Sequence, residues 1–372
     1  PSKTQRQPLE QPQEQSHNQP PKRGPGRPRK QPSTLNIDVY LAKDATASAS
    51  SQFKHSQTQE VNGLIERDVF EYIRPCDLPE SARILNSRFV DSIKNEGTEK
   101  AYKKSRLVIQ AYNDENKSQV LTQSPTIQRV SQRIILAIAA ICPELNVYLR
   151  DITQAYTQST TKLNREFYVR PPPGIPQWSG IYLKVIKPLY GVPEAGNHWF
   201  STYHKHHLEK LRMSQSTYDP CLLSVSNQEQ FGIVGLQTDD TLILANPEFA
   251  TAEESELKKA GFTSKPREQL TFEHPLKFNG RKVTLQLDGS ILLTQEGYTR
   301  HLKPVSTSPA DLVSSRGNVR QRVSIKGQYV AQRARGAYPA TVSQPEAAFD
   351  LSFAAQKLEP QSQDITLLNK RI

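Results

Sequence analysis

The residues best placed to do chemistry are two adjacent carboxylates inside an apolar stretch. Residues 231–245 read FGIVGLQTDDTLILA. Gly232–Leu236 and Thr241–Ala245 have the pattern of two strands, with Thr238, Asp239 and Asp240 at the turn between them. Carboxylates about 4 Å apart repel by roughly 4 kcal/mol at an effective dielectric of about 20. Solvent, a basic partner or a bound cation must offset that cost. Acidic pairs are common in turns, so the pair alone says little, and a third carboxylate says more. The strand at Asn146–Ile152 supplies one. Val147, Leu149 and Asp151 share a side, so Asp151 ends an otherwise apolar face and needs a cation or a hydrogen-bond partner. Acids on two strand ends beside basic strands suit two divalent cations about 3.5–4 Å apart, which activate an attacking oxygen and stabilise a leaving one. Phosphoryl transfer needs little beyond positioning and positive charge. Magnesium suits such hard oxygen ligands.

Positioning these groups requires sheets with helical support. Val61, Leu64, Ile65, Val69 and Phe70 fit an amphipathic helix. Residues 83–90 and 105–111 read as strands, joined by a charged connection from Lys94 to Lys104 that is either a solvated turn or a grip on phosphates. Ser124 and Pro125 open a helix in which Ile127, Val130, Ile134, Ile138 and Ile141 form an apolar face, with Gln128, Arg129, Gln132 and Arg133 opposite. Residues 167–174 are a strand broken by prolines. A helix from about Glu194 to Leu211 buries Trp199, Tyr203 and Leu211. Its His204, His206 and His207 are read as helix surface, because no carboxylate or cysteine completes a metal site. Glu248 to Ala260 is a helix stopped by Gly261. Strands at 276–280 and 283–294 turn at Asp288-Gly289. Residues 295–304 and 325–358 are expected to be helical, with a loop over 306–323.

The 372 residues suffice for two domains, or for one with tails. Only 35% are hydrophobic, and the deficit falls in residues 1–62, expected to be a disordered basic and polar linker. A formal charge of +11 favours an anionic partner such as nucleic acid, although a basic protein without one has the same charge. Cys76, Cys142 and Cys221 are widely spaced, which points to a reducing compartment and against a disulfide framework or a zinc knuckle. No apolar run reaches membrane-spanning length, and no signal peptide is evident. Beginning at Pro1, the chain is expected to be a fragment or a processed product. Residues 22–30, KRGPGRPRK, resemble an AT-hook, in which Arg27, Pro28 and Arg29 would lie in the minor groove of A·T-rich DNA. The alternative is a solvated basic linker or a nuclear import signal.

Five stretches resemble, in order, the motifs of the reverse transcriptase of Ty1/copia-type retrotransposons, a resemblance covering about residues 63–358. They are RFVD at 88–91 with KSRLV at 104–108, LTQSPTIQRVSQR at 121–133, LRDITQAY at 149–156, LYGVPEAGNHWF at 189–200 and GLQTDDTLI at 235–243. Each fragment alone is unspecific, and their order is what identifies the family.

The resemblance implies an α+β, right-hand polymerase with fingers, a palm built on an antiparallel sheet, and a thumb. Fingers and palm would occupy 63–295 and thumb-like helices 296–358. A tail at 359–372 would lead toward a missing RNase H domain, the whole being a middle segment of a Pol polyprotein. It implies RNA-directed DNA synthesis from dNTPs on an RNA template and a DNA primer. Asp151, Asp239 and Asp240, with the Ile152 carbonyl, would hold two Mg2+ ions, with Mn2+ as a substitute. Lys104, Arg106, Tyr156 and Glu194 would line the dNTP site, Tyr156 excluding a 2′-hydroxyl. Phe278, Asn279 and Gly280 would belong to the primer grip. Work in cytoplasmic virus-like particles, in the nucleus, or in both is implied. Two departures stand out. Gln237-Thr238 replaces the usual apolar residues before the acidic pair. Glu194 replaces a Gln, and a carboxylate there cannot donate a hydrogen bond and would repel phosphates. The competing readings are a catalytically inactive remnant that binds nucleic acid, and a two-metal nuclease.

Overall fold

The computed structural model describes residues 38–306, 313–316, 319–322 and 324–372. The chain divides into two units between Gln52 and Phe53. In chain order, α1 (Asp38–Glu66) is followed by β1 (Phe70–Ile73), β2 (Ile84–Lys94), β3 (Tyr102–Ile109) and α2 (Arg129–Ile141). Next come β4 (Asn146–Asp151), β5 (Tyr168–Arg170), β6 (Tyr182–Val185), α3 (Ala195–Glu209), β7 (Ser214–Gln215) and β8 (Leu222–Ser226). The hairpin β9 (Phe231–Gln237) and β10 (Asp240–Ala245) leads to α4 (Pro247–Lys259), β11 (Glu268–Gln269), β12 (Leu276–Phe278), β13 (Arg281–Leu285) and β14 (Ile291–Thr294). The chain continues with α5 (Glu296–Thr299), β15 (Val313–Arg316), β16 (Val319–Arg322), α6 (Ile325–Val342), α7 (Ala348–Ala355) and α8 (Ser362–Arg371).

The acidic hairpin belongs to a six-stranded antiparallel sheet in the order β11-β4-β10-β9-β8-β7. A second sheet, β1-β6-β5-β2-β3, is antiparallel except where β2 runs parallel to β5. A three-stranded sheet, β12-β13-β14, follows. The expected α+β class with antiparallel sheets is what the chain adopts. From Thr241 to Ala245, β10 is fully buried. A strand covered on both faces reads as a continuous apolar run, as this one does. Its neighbours in the core include Leu149, Val234 and Leu236 from the sheet, Ile135 and Leu136 from α2, Trp199 and Tyr203 from α3, and Phe249 from α4. Gly235 permits this closeness, since a Cβ there would stand 2.2 Å from Ile127 Cδ1. Gly191, at φ +92°, lets the chain pass Ile109, whose carbonyl oxygen would be 2.0 Å from any Cβ.

Four expectations change. The apolar face assigned to α2 is not the buried one. Ser131, Gln132, Ile135 and Leu136 are buried, whereas Val130, Ile134 and Ile141 are exposed. Tertiary anchors set this rotation. Asp219 Oδ2 accepts from Gln128 N at 2.8 Å and Ser131 Oγ at 2.6 Å, and Gln132 Nε2 donates to Ile127 O at 3.2 Å.

Residues 38–62, expected in a disordered linker, are helical in α1. Its last turns are fixed by polar contacts that hydropathy does not register, among them Ser56 Oγ with Ser105 Oγ at 2.7 Å. Within the expected loop over 306–323, Val313–Arg316 pairs with Val319–Arg322. The expected tail contains α8, whose Leu368 joins Tyr329, Leu351 and Ala354 in a separate core. The AT-hook-like residues Arg27, Pro28 and Arg29 lie outside the described residues.

Candidate active site

The fold brings the acidic positions together. Asp240 is the partner of Asp151 across β4 and β10, and of Gln237 across β9 and β10. Directly opposed residues of antiparallel strands have Cα atoms about 4.5–5.5 Å apart and project to the same face. Ile152 N donates to Asp239 O at 2.9 Å, which ties the turn to the end of β4. Thr238 closes the turn in the left-handed region, at φ +53°.

Burial, and then the charges of Asp239 and Asp151, push the Asp240 carboxyl up to about 7. Burial raises Asp239 as well, and the nearby Asp151 adds to it. The negative charge concentrated here is thus incompletely offset by the protein.

Buried contacts beneath the acids hold them in place. Trp199 Nε1 donates to Thr238 O at 2.7 Å, so α3 supports the turn directly. Arg150, which alternates with Asp151 along β4, is buried and points the other way, into the protein. Its Nε and Nη2 donate to Glu253 of α4 at 3.1 and 2.5 Å, and Nη2 also reaches Glu254 at 2.5 Å. Arg267 Nη1 approaches the same Glu253 at 3.4 Å.

A basic and aromatic wall faces the acids. Lys104 is half-buried on β3. Burial, then the charges of Arg106 and Lys265, lower its pKa, while Asp151 works in the opposite direction. The Arg106 guanidinium lies 5.2 Å from the Tyr190 ring centre, and the Tyr190 ring stands 5.0 Å from that of Tyr156. Burial, with Asp239 nearby, raises the Tyr156 phenol. Lys104, Arg106 and Tyr156 therefore stand near the acids.

Lys265 is the residue that sequence reasoning misses. Its Nζ donates to Asp151 Oδ2 in an ion pair, and its backbone N donates to Asp151 O at 2.9 Å. A bridge between Ile152 and Ser264 runs the Lys265 segment alongside the end of β4. Burial opposes the Lys265 charge, and its hydrogen bond to Asp151 holds the pKa above the usual lysine value. At 114 residues from Asp151, and with no motif around it, Lys265 carries no sequence signal. Glu60 is a second such residue. It accepts from Leu107 N at 3.2 Å and from Gln154 Nε2 at 2.9 Å, bracing β3 and the loop after Asp151.

Other expectations are corrected. Glu194 is buried, and Arg165 takes both of its carboxylate oxygens, Nε at 3.0 Å and Nη2 at 2.7 Å. Its charge is compensated within the protein and does not stand bare toward a nucleotide. Phe278 is a core residue, so its ring cannot contact a primer. Asn279 and Gly280, at φ +47° and +75°, form the tight turn of β12 and β13. His206 and His207 are buried rather than on a helix surface. Burial pushes His207 down to about 3, and its Nδ1 donates to Tyr203 O at 2.8 Å.

The donor set suits a hard divalent cation in charge and atom type. Uncompensated repulsion at Asp239 and Asp240 is what such an ion would relieve. The side chains do not already form a ligand cluster. Among the described residues, no group of three or more His, Cys, Asp or Glu is arranged to hold a metal. Asp151 is engaged by Lys265 instead.

Residues 70–272 match the family model described as Reverse transcriptase (RNA-dependent DNA polymerase). The Transposon Ty1-NL2 Gag-Pol polyprotein of Saccharomyces cerevisiae is 27% identical over 186 residues, covering 49% of this chain. The Ty1-DR5 Gag-Pol polyprotein of the same yeast is 26% identical over a stretch of the same length. The chain spans about a tenth of the length of these relatives, 10% in each case. A solved foamy viral protease-reverse transcriptase in complex with dsDNA is 14% identical, with a TM-score of 0.46 over 86% of this chain and 56% of that one.

Proposed function

The chain belongs to the reverse transcriptase (RNA-dependent DNA polymerase) family, in its Ty1/copia-type branch, and we propose that it extends a DNA primer on an RNA template by nucleotidyl transfer from dNTPs. The observation that carries this reading is the register of Asp240 against Asp151, with Asp239 hydrogen-bonded to the residue after Asp151. Asp151, Asp239 and Asp240, assisted by the Ile152 carbonyl, would hold two magnesium ions, with manganese as a substitute. Divalent cations bound there supply Lewis acidity to the attacking and leaving oxygens.

The chain's own side chains do the rest. Lys104 and Arg106 bind the triphosphate oxygens by charge-assisted hydrogen bonds. Tyr156, held against Tyr190, packs under the sugar and excludes a 2′-hydroxyl. Lys265 pairs with Asp151 and would have to give up that carboxylate oxygen for Asp151 to hold a cation through it. The turn at Asn279 and Gly280 offers backbone groups rather than a side chain to the primer end. The resemblance divides 63–295 as fingers and palm and 296–358 as thumb, with work in cytoplasmic virus-like particles or in the nucleus. The segment at 22–30 adds contact with A·T-rich duplex.

The test is extension of a DNA primer on a defined RNA template with magnesium, comparing dNTPs with rNTPs. Asp239→Asn should lower the rate about a hundredfold or more. Undiminished extension by that variant sinks the reading.

A second reading has its own support in the Lys265–Asp151 ion pair, which occupies Asp151 Oδ2. In that reading the chain is an inactive remnant that binds nucleic acid only. Duplex binding without any nucleotide incorporation, in the presence of manganese or magnesium, would favour it.

A further inference from the structure

Away from the acids, the joint between the β13–β14 hairpin, α2 and the end of α6 collects hydrogen-bond donors that have no acceptors. Arg281, on β13, is only 3% exposed, and its Nε is buried with no hydrogen-bond partner. Gln295 is likewise 3% exposed with its Nε2 unpartnered, while its Oε1 accepts from Ser343 Oγ at 2.9 Å. Lys282 pairs with Thr294 across the hairpin. Arg281 and Gln295 each lie just beyond that last pair, and Gln295 meets Ser343 beside the Val342 carbonyl that Arg133 holds, so both orphaned donors belong to the same joint.

Two more guanidinium groups close the joint. Arg129 lies 5.4 Å from the Tyr338 ring centre and donates to Thr341 Oγ1 at 2.6 Å. Arg133 Nη2 donates to the carbonyls of Thr341 and Val342 at 2.9 and 3.2 Å. Both are close enough for their positive charges to act on Arg281. Among the described residues, none of the three arginines makes an ion pair. Each hydrogen bond that Arg129 and Arg133 make here ends on a neutral oxygen of α6. A buried guanidinium beside two others, without a carboxylate, is an arrangement that proteins normally avoid.

We propose that this joint is a binding site for a phosphate-class oxyanion, with Arg281 and Gln295 at its floor and Arg129 and Arg133 at its rim. A tetrahedral oxyanion accepts from several directions at once, which guanidinium forks are suited to. It would satisfy the two orphaned donors and neutralise the arginines together. A single carboxylate, being planar, serves fewer of these directions. The anion is either free inorganic phosphate, which would rivet α6 to the hairpin, or a phosphodiester of a bound strand. The proposal does not depend on the chain being a polymerase.

The test is isothermal titration of the whole chain with sodium phosphate, against sodium chloride at matched ionic strength, together with thermal unfolding. One phosphate should bind and raise the unfolding temperature beyond the chloride control. Arg281→Met should weaken binding about tenfold or more. Should that variant fold poorly, Arg129→Gln alters an exposed side chain and should weaken binding about threefold or more. A second arm titrates a short RNA–DNA hybrid with and without phosphate. Competition that vanishes in Arg129→Gln assigns the site to a strand phosphodiester. Phosphate binding without competition assigns it to the free ion. Failure of both phosphate and hybrid to distinguish the wild-type chain from these variants overturns the proposal.

Discussion

Arg165 grips Glu194 through two hydrogen bonds, of 3.0 and 2.7 Å, and reaches Asp114 with a third nitrogen at 2.8 Å. One guanidinium thereby neutralises two carboxylates, and its Cζ lies 4.8 Å from the Phe167 ring centre. Replacing Arg165 by Met strands both acids. We expect Arg165→Met to lose about 3 kcal/mol of stability, and the double variant with Glu194→Gln to recover part of it. Urea denaturation of Arg165→Met, Glu194→Gln and the double variant measures this, and an additive result would mean the pair is not coupled.

Asp240 predicts a pH signature in metal-free buffer. Its carboxyl, pushed up to about 7 by burial and by its acidic neighbours, binds a proton more tightly folded than unfolded. Its contribution is therefore full below the unfolded carboxylate pKa of about 4, and is lost as pH rises through about 7. With a chelator present, Asp240→Asn should be more stable than wild type at pH 8 by about 2 kcal/mol, allowing for partial solvent screening. The advantage should shrink toward pH 4.

Removing Lys265 should help a cation enter. With its ammonium gone, Asp151 is free and one repelling charge is absent. A unit charge at about 4 Å is worth roughly 1 kcal/mol even in water, so Lys265→Met should bind Mn2+ about fivefold more tightly. Paramagnetic resonance titration without nucleotide reads this directly. Weaker binding in the variant would mean that Lys265 supports the ion rather than competing with it.

His207 makes the fold acid-sensitive. Its pKa, lowered to about 3 by burial, means that the unfolded chain takes up a proton which the folded chain refuses. Stability is full above about pH 6.5 and falls as pH drops toward 3. By pH 5 the loss from this group is about 2 kcal/mol. His207→Gln should flatten that slope in denaturation curves taken between pH 7 and pH 5.

How far the sequence reveals the site depends on the range of the forces involved. The β9–β10 hairpin and the α4 helix are legible because strand patterning and a glycine stop are local. The partner strand of Asp151 is legible because an acid ends an apolar face there. The rotation of α2 is not, since Asp219 sets it from about 90 residues away, the hydrogen bond to Gln128 spanning 91 positions. Hydropathy also misplaces His206 and His207, which enter the core as neutral rings beside Tyr203 and Phe262. Glu194 reads as a departure from the family pattern until Arg165 is seen beside it. Lys265 has no local pattern at all.

The indole of Trp199 reaches the carbonyl of Thr238 from a helix that starts only four positions earlier, at Ala195. Adding one residue between Ala195 and Trp199 would swing that ring about 100° around the helix and shift it by about 1.5 Å. The bend that presents the paired acids would then lose its prop, although neither acid had been touched. Spacing inside α3 is therefore a mechanical tolerance of the acidic end of the sheet, and length changes there should be as damaging as substitutions at the acids themselves.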